Sequence, residues 1–287
     1  MTPFTCASCG TRLPAVDAER CDGCGTAIER AGPILLLVPS TEALAARLER
    51  AARGRESWYR ADQEAQLTGP YRHHLARRRR LVQEIFAART RRPQVVVDAG
   101  CGDGVNLRWL REEGQEVYGT DYNLTRLERA AGGTPVDGLA LADLTDWRVA
   151  SDSVDLIFCN HVLEHIDDDA AALGELHRAL RPGGTLVLGT PNEGAAAWRL
   201  AYALEPWYRS RTDHVHFYTA ASLSERCTDA GFVVERTEHI GWGVPSFTLD
   251  ALVRRFAWVD EAFERVGRRV APRQATSLYL VLRKDDA

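Results

Sequence analysis

The chain has 287 residues, 45% hydrophobic and 26% charged, with a formal net charge of −4. That length holds one full-sized domain plus a small module, and the balance excludes a disordered or fibrous chain. No apolar stretch approaches the ~18 residues of a membrane span, and the charge is uneven, with 16 Arg against 10 acids over residues 1–92 and an acidic remainder.

Residues 1–9 carry neither a basic start nor an apolar signal core, which predicts a reducing, cytoplasmic setting without structural disulfides. Four of the seven cysteines fall as Cys6-Ala-Ser-Cys9-Gly10 and Cys21-Asp-Gly-Cys24-Gly25. Each pair lets a tight turn aim two thiolates at one point, and the glycine that follows accepts the turn's backbone angles. The spacing predicts a Zn2+ site of Cys6, Cys9, Cys21 and Cys24 in a zinc ribbon over residues 1–40. Four thiolates leave no position for water, so the metal is expected to be structural. A redox pair is the weaker rival, since no thioredoxin-like strand and helix surround either pair. The run Gly32-Pro33-Ile34-Leu35-Leu36-Leu37-Val38 then reads as a buried strand. Residues 21–39 resemble ribbons related to the tRNA-methyltransferase activator family, which precede methyltransferase domains of varied substrates.

Residues 41–92 read as a helical linker and N-terminal lid, with Tyr59 and Tyr71 placed to cover a ligand. The run Arg77-Arg78-Arg79-Arg80 holds much of the basic excess and is expected to be a solvated helix face. The pair His73-His74 reads either as part of the lid or as solvent face.

From residue 93 the pattern changes. Pro93-Gln94-Val95-Val96-Val97-Asp98 is an apolar strand ending in an acid, and Ala99-Gly100-Cys101-Gly102-Asp103-Gly104 turns it towards a helix. A dinucleotide fingerprint would need its third glycine at position 105, where Val105 stands. The next strand, Val117-Tyr118-Gly119-Thr120-Asp121, ends in an acid 23 residues after Asp98, and Ala142-Asp143-Leu144 offers a third 22 residues later. Acids at successive strand ends, one strand-helix-strand repeat apart, line one carboxyl edge of a parallel sheet. A further strand over residues 153–159 runs into Asn160-His161-Val162-Leu163-Glu164-His165. A helix over about residues 168–180 follows, and Arg181-Pro182-Gly183-Gly184 stops it before a strand over residues 185–190.

The Asp-x-Gly-x-Gly-x-Gly loop, the Val-Leu-Glu-His turn and the Leu-Arg-Pro-Gly-Gly-x-Leu strand entry resemble class I methyltransferases. Over residues 93–192 the likeness is to the ubiquinone-biosynthesis and related small-molecule enzymes. It implies a Rossmann-like α/β domain over residues 93–287, built on a seven-stranded, mostly parallel sheet with helices on both faces and preceded by the small zinc ribbon. Insertions are expected at residues 193–218 and 241–274. The resemblance also implies S-adenosylmethionine as cofactor, lined by Asp98, Gly100, Gly102, Gly104, Asp121, Tyr122, Asp143, Leu144 and Asn160. Asp98 would face its ammonium side, Asp121 its ribose hydroxyls, and Asp143 with the Leu144 amide its adenine.

Beyond that core, Thr219 is placed to cap a helix over residues 220–230 that Gly231 ends, with strands over residues 232–238 and 277–283. Aromatic residues of the insertions, among them Trp198, Tyr202, Trp207, Tyr208, Trp242 and Phe247, either wall a pocket for a ring-bearing acceptor or pack the insertions. Cys101, Cys159 and Cys227 read as buried small residues. Methyl transfer is an in-line displacement in which the protein aligns the acceptor and removes a proton from a hydroxyl. The candidate bases are His161, just past a strand end, and His214 and His216, in Asp-His-Val-His-Phe-Tyr-Thr. The expected function is O-methylation of a small-molecule acceptor, without a membrane partner. The alternatives are base methylation of rRNA or tRNA, motivated by the ribbon and the arginine run, and a non-catalytic S-adenosylmethionine-binding partner protein. The acidic body, and a ribbon whose one aromatic is Phe4, weigh against RNA.

Overall fold

The computed structural model describes residues 1–38, 69, 72–88, 93–113, 116–133, 135–206 and 214–285. Tyr59, Tyr71, Trp207 and Tyr208 lie outside them. Along β3 (Val95–Ala99), Val95, Val97 and Ala99 join one hydrophobic core while Val96 joins another, because successive side chains of a strand point to opposite faces. Strands β4 (Glu116–Asp121) and β5 (Gly138–Leu141) extend the sheet on one side of β3, and β6 (Val154–Asn160) and β7 (Leu180–Pro191) on the other, all parallel. Strand β9 (Ser277–Lys284) then runs antiparallel between β7 and β8 (Phe232–Ile240).

Those are the seven strands expected, and the N-terminal module adds two more. Strand β2 (Ile34–Leu36) pairs in parallel with β5, and β1 (Arg30–Ala31) pairs antiparallel with β2, giving the order β1-β2-β5-β4-β3-β6-β7-β9-β8. The apolar run after the second cysteine pair therefore covers the edge of β5, whose Leu139 and Leu141 are buried, and keeps that backbone from being an open edge.

Helices α1 (Arg72–Ala87), α2 (Leu107–Glu113) and α3 (Leu124–Gly133) cover one face through Leu81, Val82, Leu107, Leu110 and Leu127. Helices α4 (Asp169–Ala179) and α6 (Ala220–Asp229) cover the other, with α5 (Ala196–Leu204) between them in sequence. Asp168 caps α4 by accepting from the Ala171 amide at 2.9 Å, and Thr219 with Ser222 forms a capping box on α6. The connection from β5 to β6 carries no helix, and the cysteine module fills that layer instead. The Thr5 amide donates to the Arg148 carbonyl at 2.8 Å, the Ala150 amide donates to the Pro3 carbonyl at 2.7 Å, and Phe4 meets Tyr118 edge to face at 5.5 Å.

The arginine run departs from expectation. Arg78 is buried, Arg77 pairs with Asp260 and with Glu264, and Arg79 pairs with Glu112 at 2.5 Å and Glu113 at 3.4 Å. These acids come from α2 and from α8 (Ala257–Val270), so Arg77 and Arg79 tie three helices together, and of the four only Arg80 is the exposed residue expected of a solvated face. Ahead of α8, in the same insertion, lies α7 (Phe247–Val253). Arg254, 1% exposed, joins the two helices by donating to Asp250, Asp260 and the Trp242 carbonyl at 2.5, 2.6 and 2.6 Å. His74 lies 3.2 Å from Arg254, under the insertion and not on a solvent face. Among the described residues no helix is long and apolar enough to cross a membrane.

Candidate functional site

The chain steps from β3 outwards to β4 and β5, then returns to β6 on the other side of β3. Such a reversal opens a crevice outside the strands' carboxyl ends, the usual ligand position in an open α/β sheet. Asp98, Asp121 and Asn160 end or nearly end the three strands around it.

Asp98 is fully buried, and neither carboxylate oxygen has a hydrogen-bond partner. Desolvation, with Asp121 nearby, pushes its pKa up to about 8 even though Arg78 opposes the shift. A buried acid left without donors is matched by a cationic ligand, which would supply the missing charge. The loop after it holds Gly100, Gly102 and Gly104 at φ of 81°, 52° and 80°. A Cβ on Gly100 would lie 2.2 Å from Val162 Cγ2, so both the backbone angle and the space demand glycine there.

Asp121 is anchored from below, accepting from the Gly102 amide and the Asn123 amide, each at 2.8 Å. Burial raises its pKa, and those amide bonds oppose the rise. A carboxylate offers about four lone-pair sites, so Asp121 keeps capacity for a diol. Tyr122 follows it, half-buried. Asp143 accepts from the amide and the hydroxyl of Thr145 at 3.0 and 2.9 Å, a local turn that fixes the backbone of Leu144. Asn160 Oδ1 accepts from the Tyr279 hydroxyl at 2.6 Å and sits beside Gly189, where a Cβ would come within 2.8 Å of it.

Past Asn160 the backbone turns sharply. His161 has φ of 55°, uncommon for a residue with a Cβ and characteristic of functional turns, and its amide donates to the Gly189 carbonyl at 2.8 Å. Its Nδ1 lies 3.1 Å from Glu164 Oε1. Glu164 is only 1% exposed, and its Oε2 has no hydrogen-bond partner. Burial alone would raise the Glu164 pKa, but the hydrogen bond from His161 and the nearby His165 and His214 lower it overall. The Glu164 carbonyl accepts from the Val215 and His216 amides at 2.8 and 3.2 Å, which ties the His214 segment to this turn. The structure thus brings His161 and His214 around Glu164. The His216 ring is held elsewhere, 3.2 Å from the Asp167 carbonyl and stacked on Tyr218.

Two contributors went unread in the sequence. Glu164 had a signal, since His161 and Glu164 three apart share one tight turn. Tyr279 had none, being 119 positions from Asn160. Of the insertion aromatics, Trp242 is buried with its indole donating to the Ala271 carbonyl at 2.7 Å, which is packing. Trp198 and Tyr202 stack on each other at 5.6 Å.

The four cysteines of the N-terminal module also converge. Cys6 and Cys24 sulfurs are 3.9 Å apart, Cys9 and Cys21 sulfurs 3.5 Å, and all four lie within 4.8 Å of one another. Tetrahedral zinc with Zn–S bonds of about 2.3 Å spaces its sulfurs about 3.8 Å apart, so the cluster fits that ion. The Gly10 and Gly25 amides donate to the Cys6 and Cys21 carbonyls at 2.9 and 2.8 Å, closing two equivalent knuckles.

Residues 71–237 match a family model described as methyltransferase domain. An S-adenosylmethionine-dependent methyltransferase of Mycolicibacterium smegmatis is 30% identical over 54% of this chain and 58% of its own length. A ubiquinone biosynthesis O-methyltransferase of Psychrobacter arcticus is 29% identical over 48% of this chain and 58% of its own. The chain therefore spans less than two thirds of either curated relative. A structure of a complex between the Haloferax volcanii Trm112 methyltransferase activator and a methyltransferase superposes with a TM-score of 0.52 at 21% identity, covering 86% of this chain and 98% of the matched one, a likeness of fold alone.

Proposed function

The chain belongs to the methyltransferase domain family, and from that premise we propose that it transfers a methyl group from S-adenosylmethionine to an oxygen of a small molecule. The observation that carries the cofactor reading is Asp98, a buried acid with both oxygens unpartnered beside a glycine-hinged loop. S-adenosylmethionine, when bound, supplies an activated methyl on a sulfonium that leaves in line. Asp98 would hold the cofactor's cationic methionine end, Asp121 with Tyr122 its ribose hydroxyls, and Asp143 with the Leu144 amide its adenine. Gly100, Gly102 and Gly104 would let the backbone approach the cofactor, and Asn160, fixed by Tyr279, would line it as well.

Oxygen as acceptor is supported by a relative named for O-methyl transfer in ubiquinone biosynthesis. His161 is the base. With its Nδ1–H donated to Glu164, its Nε2 is left as the proton acceptor, and the carboxylate stabilises the imidazolium that forms. His214 and His216 are the next candidates. The cysteines of the N-terminal module would hold a structural Zn2+, and residues 93–287 form the catalytic body; of the linker and lid expected over residues 41–92, only 69 and 72–88 are among the described residues. The electrostatic motive for RNA is weakened, because Arg77 and Arg78 are taken up by ion pairs and burial and Arg79 is paired with Glu112, leaving Arg80 exposed.

The test is release of S-adenosylhomocysteine with catechol and simple phenols as acceptors. His161→Ala should lower kcat roughly 100-fold to 10,000-fold while S-adenosylmethionine affinity changes less than about twofold. Undiminished turnover in the His161, His214 and His216 alanine variants would remove the histidine, and absence of calorimetric heat with S-adenosylmethionine would remove the cofactor.

A further inference from the structure

We propose that Glu164, His165 and His214 form a divalent-cation site, separate from the cysteine cluster. One ligand atom from each lies within 4.8 Å of the other two. The two imidazoles meet edge to face at 4.9 Å, and His165 Nε2 lies 4.0 Å from Glu164 Oε1. Glu164 is buried, and while His161 bonds its Oε1, its Oε2 has no partner, a buried oxygen open to a further ligand.

The backbone holds this set in place without a metal. The His165 amide donates to the Val162 carbonyl at 3.0 Å, fixing the turn, and the Val215 amide on the Glu164 carbonyl fixes the segment that carries His214. His161 occupies Glu164 Oε1, leaving Oε2 to an ion. Two imidazoles and one carboxylate suit Zn2+, Mn2+, Fe2+ or Co2+, and a three-ligand set leaves coordination positions open, unlike four thiolates. Next to His161, an open position would lie where the acceptor hydroxyl is expected, and a cation there lowers the pKa of an oxygen bound to it. That catalytic consequence rests on the methyl-transfer reading, whereas cation binding does not.

The experiment titrates Co2+ into the full chain after its cysteine cluster has been loaded with Zn2+, with no S-adenosylmethionine or acceptor present. Visible absorption then separates nitrogen and oxygen ligation from thiolate ligation. The expected result is one saturable equivalent with weak d–d bands and no thiolate charge-transfer band. His214→Ala, partly exposed and in an extended segment, should keep its circular dichroism and zinc content yet bind Co2+ at least about 100-fold more weakly. Glu164→Gln should do the same, and His216→Ala should bind within about twofold of the parent. No second equivalent, a thiolate band alone, or an unchanged isotherm in a folded His214→Ala would overturn the site. Failure of methyl transfer with intact Co2+ binding would count against the acceptor reading alone.

Discussion

The Asp98 carboxyl, pushed up to about 8 by burial and by Asp121, is mostly protonated at pH 7 before any ligand binds. A folded pKa raised above the ordinary aspartate value near 4 stabilises the ligand-free fold fully below that value, and the contribution fades as pH rises through 8. A cationic ligand prefers the ionised form and reverses that trend. Binding of S-adenosylmethionine at pH 7 should therefore release up to about one proton through Asp98, and affinity should strengthen up to about tenfold per pH unit until about pH 8. Calorimetry in buffers of different ionisation enthalpy reads the release directly, and Asp98→Asn should abolish it. Heats that do not depend on the buffer would contradict the assignment. Gly100→Ala tests the loop: its Cβ would meet Val162 at 2.2 Å with φ at 81°, so a loss of about 1–3 kcal/mol in urea unfolding and weaker cofactor binding are expected. Residues of this kind were legible because each acid ends an apolar run and each glycine follows at fixed spacing. Arg77 was not, because Asp260 and Glu264 reach it from a helix some 180 positions away, and a local charge run carries no sign of distant partners.

Helices and strands were legible where their ends carry their own chemistry, as at the Thr219 cap and the left-handed Gly231, at φ of 91°. The partner of β2 was not. Five apolar residues specify a strand, but which neighbour they join depends on β5 lacking one and on the β5–β6 connection lacking a helix. The cysteine module answers both deficits, with β2 on the edge and Phe4, fully buried, on Tyr118 across the face. Phe4→Ala should then cost about 3–5 kcal/mol, as for a large core side chain and not for a surface appendage. Urea unfolding should show this as a lower midpoint at unchanged slope. A change below about 1 kcal/mol would mean that the module contributes little to the body.

At the scale of the molecule, the ribbon and the nucleotide crevice share one sheet. The register Ile34↔Leu139, Leu35↔Ala140, Leu36↔Leu141 joins the module to β5, and β5 leads within two residues to Asp143. The Phe4↔Val149 bridge grips the same connection further on. Structural zinc in small Cys-rich modules carries binding free energy of about 10–16 kcal/mol, and where no site exists in the unfolded chain that energy is folding energy. Removing the Zn2+ proposed for the cysteine cluster should therefore not melt the N-terminal module alone. Scanning calorimetry of metal-loaded chain and of chain stripped by a chelator should each give a single transition, the stripped one at lower temperature. S-adenosylmethionine should bind the stripped chain more weakly, because the Asp143 end of the crevice, proposed to hold the adenine, loses its backing. A separate low-temperature transition, with cofactor affinity intact, would instead make the ribbon an independent domain whose contact with the body is incidental to the site.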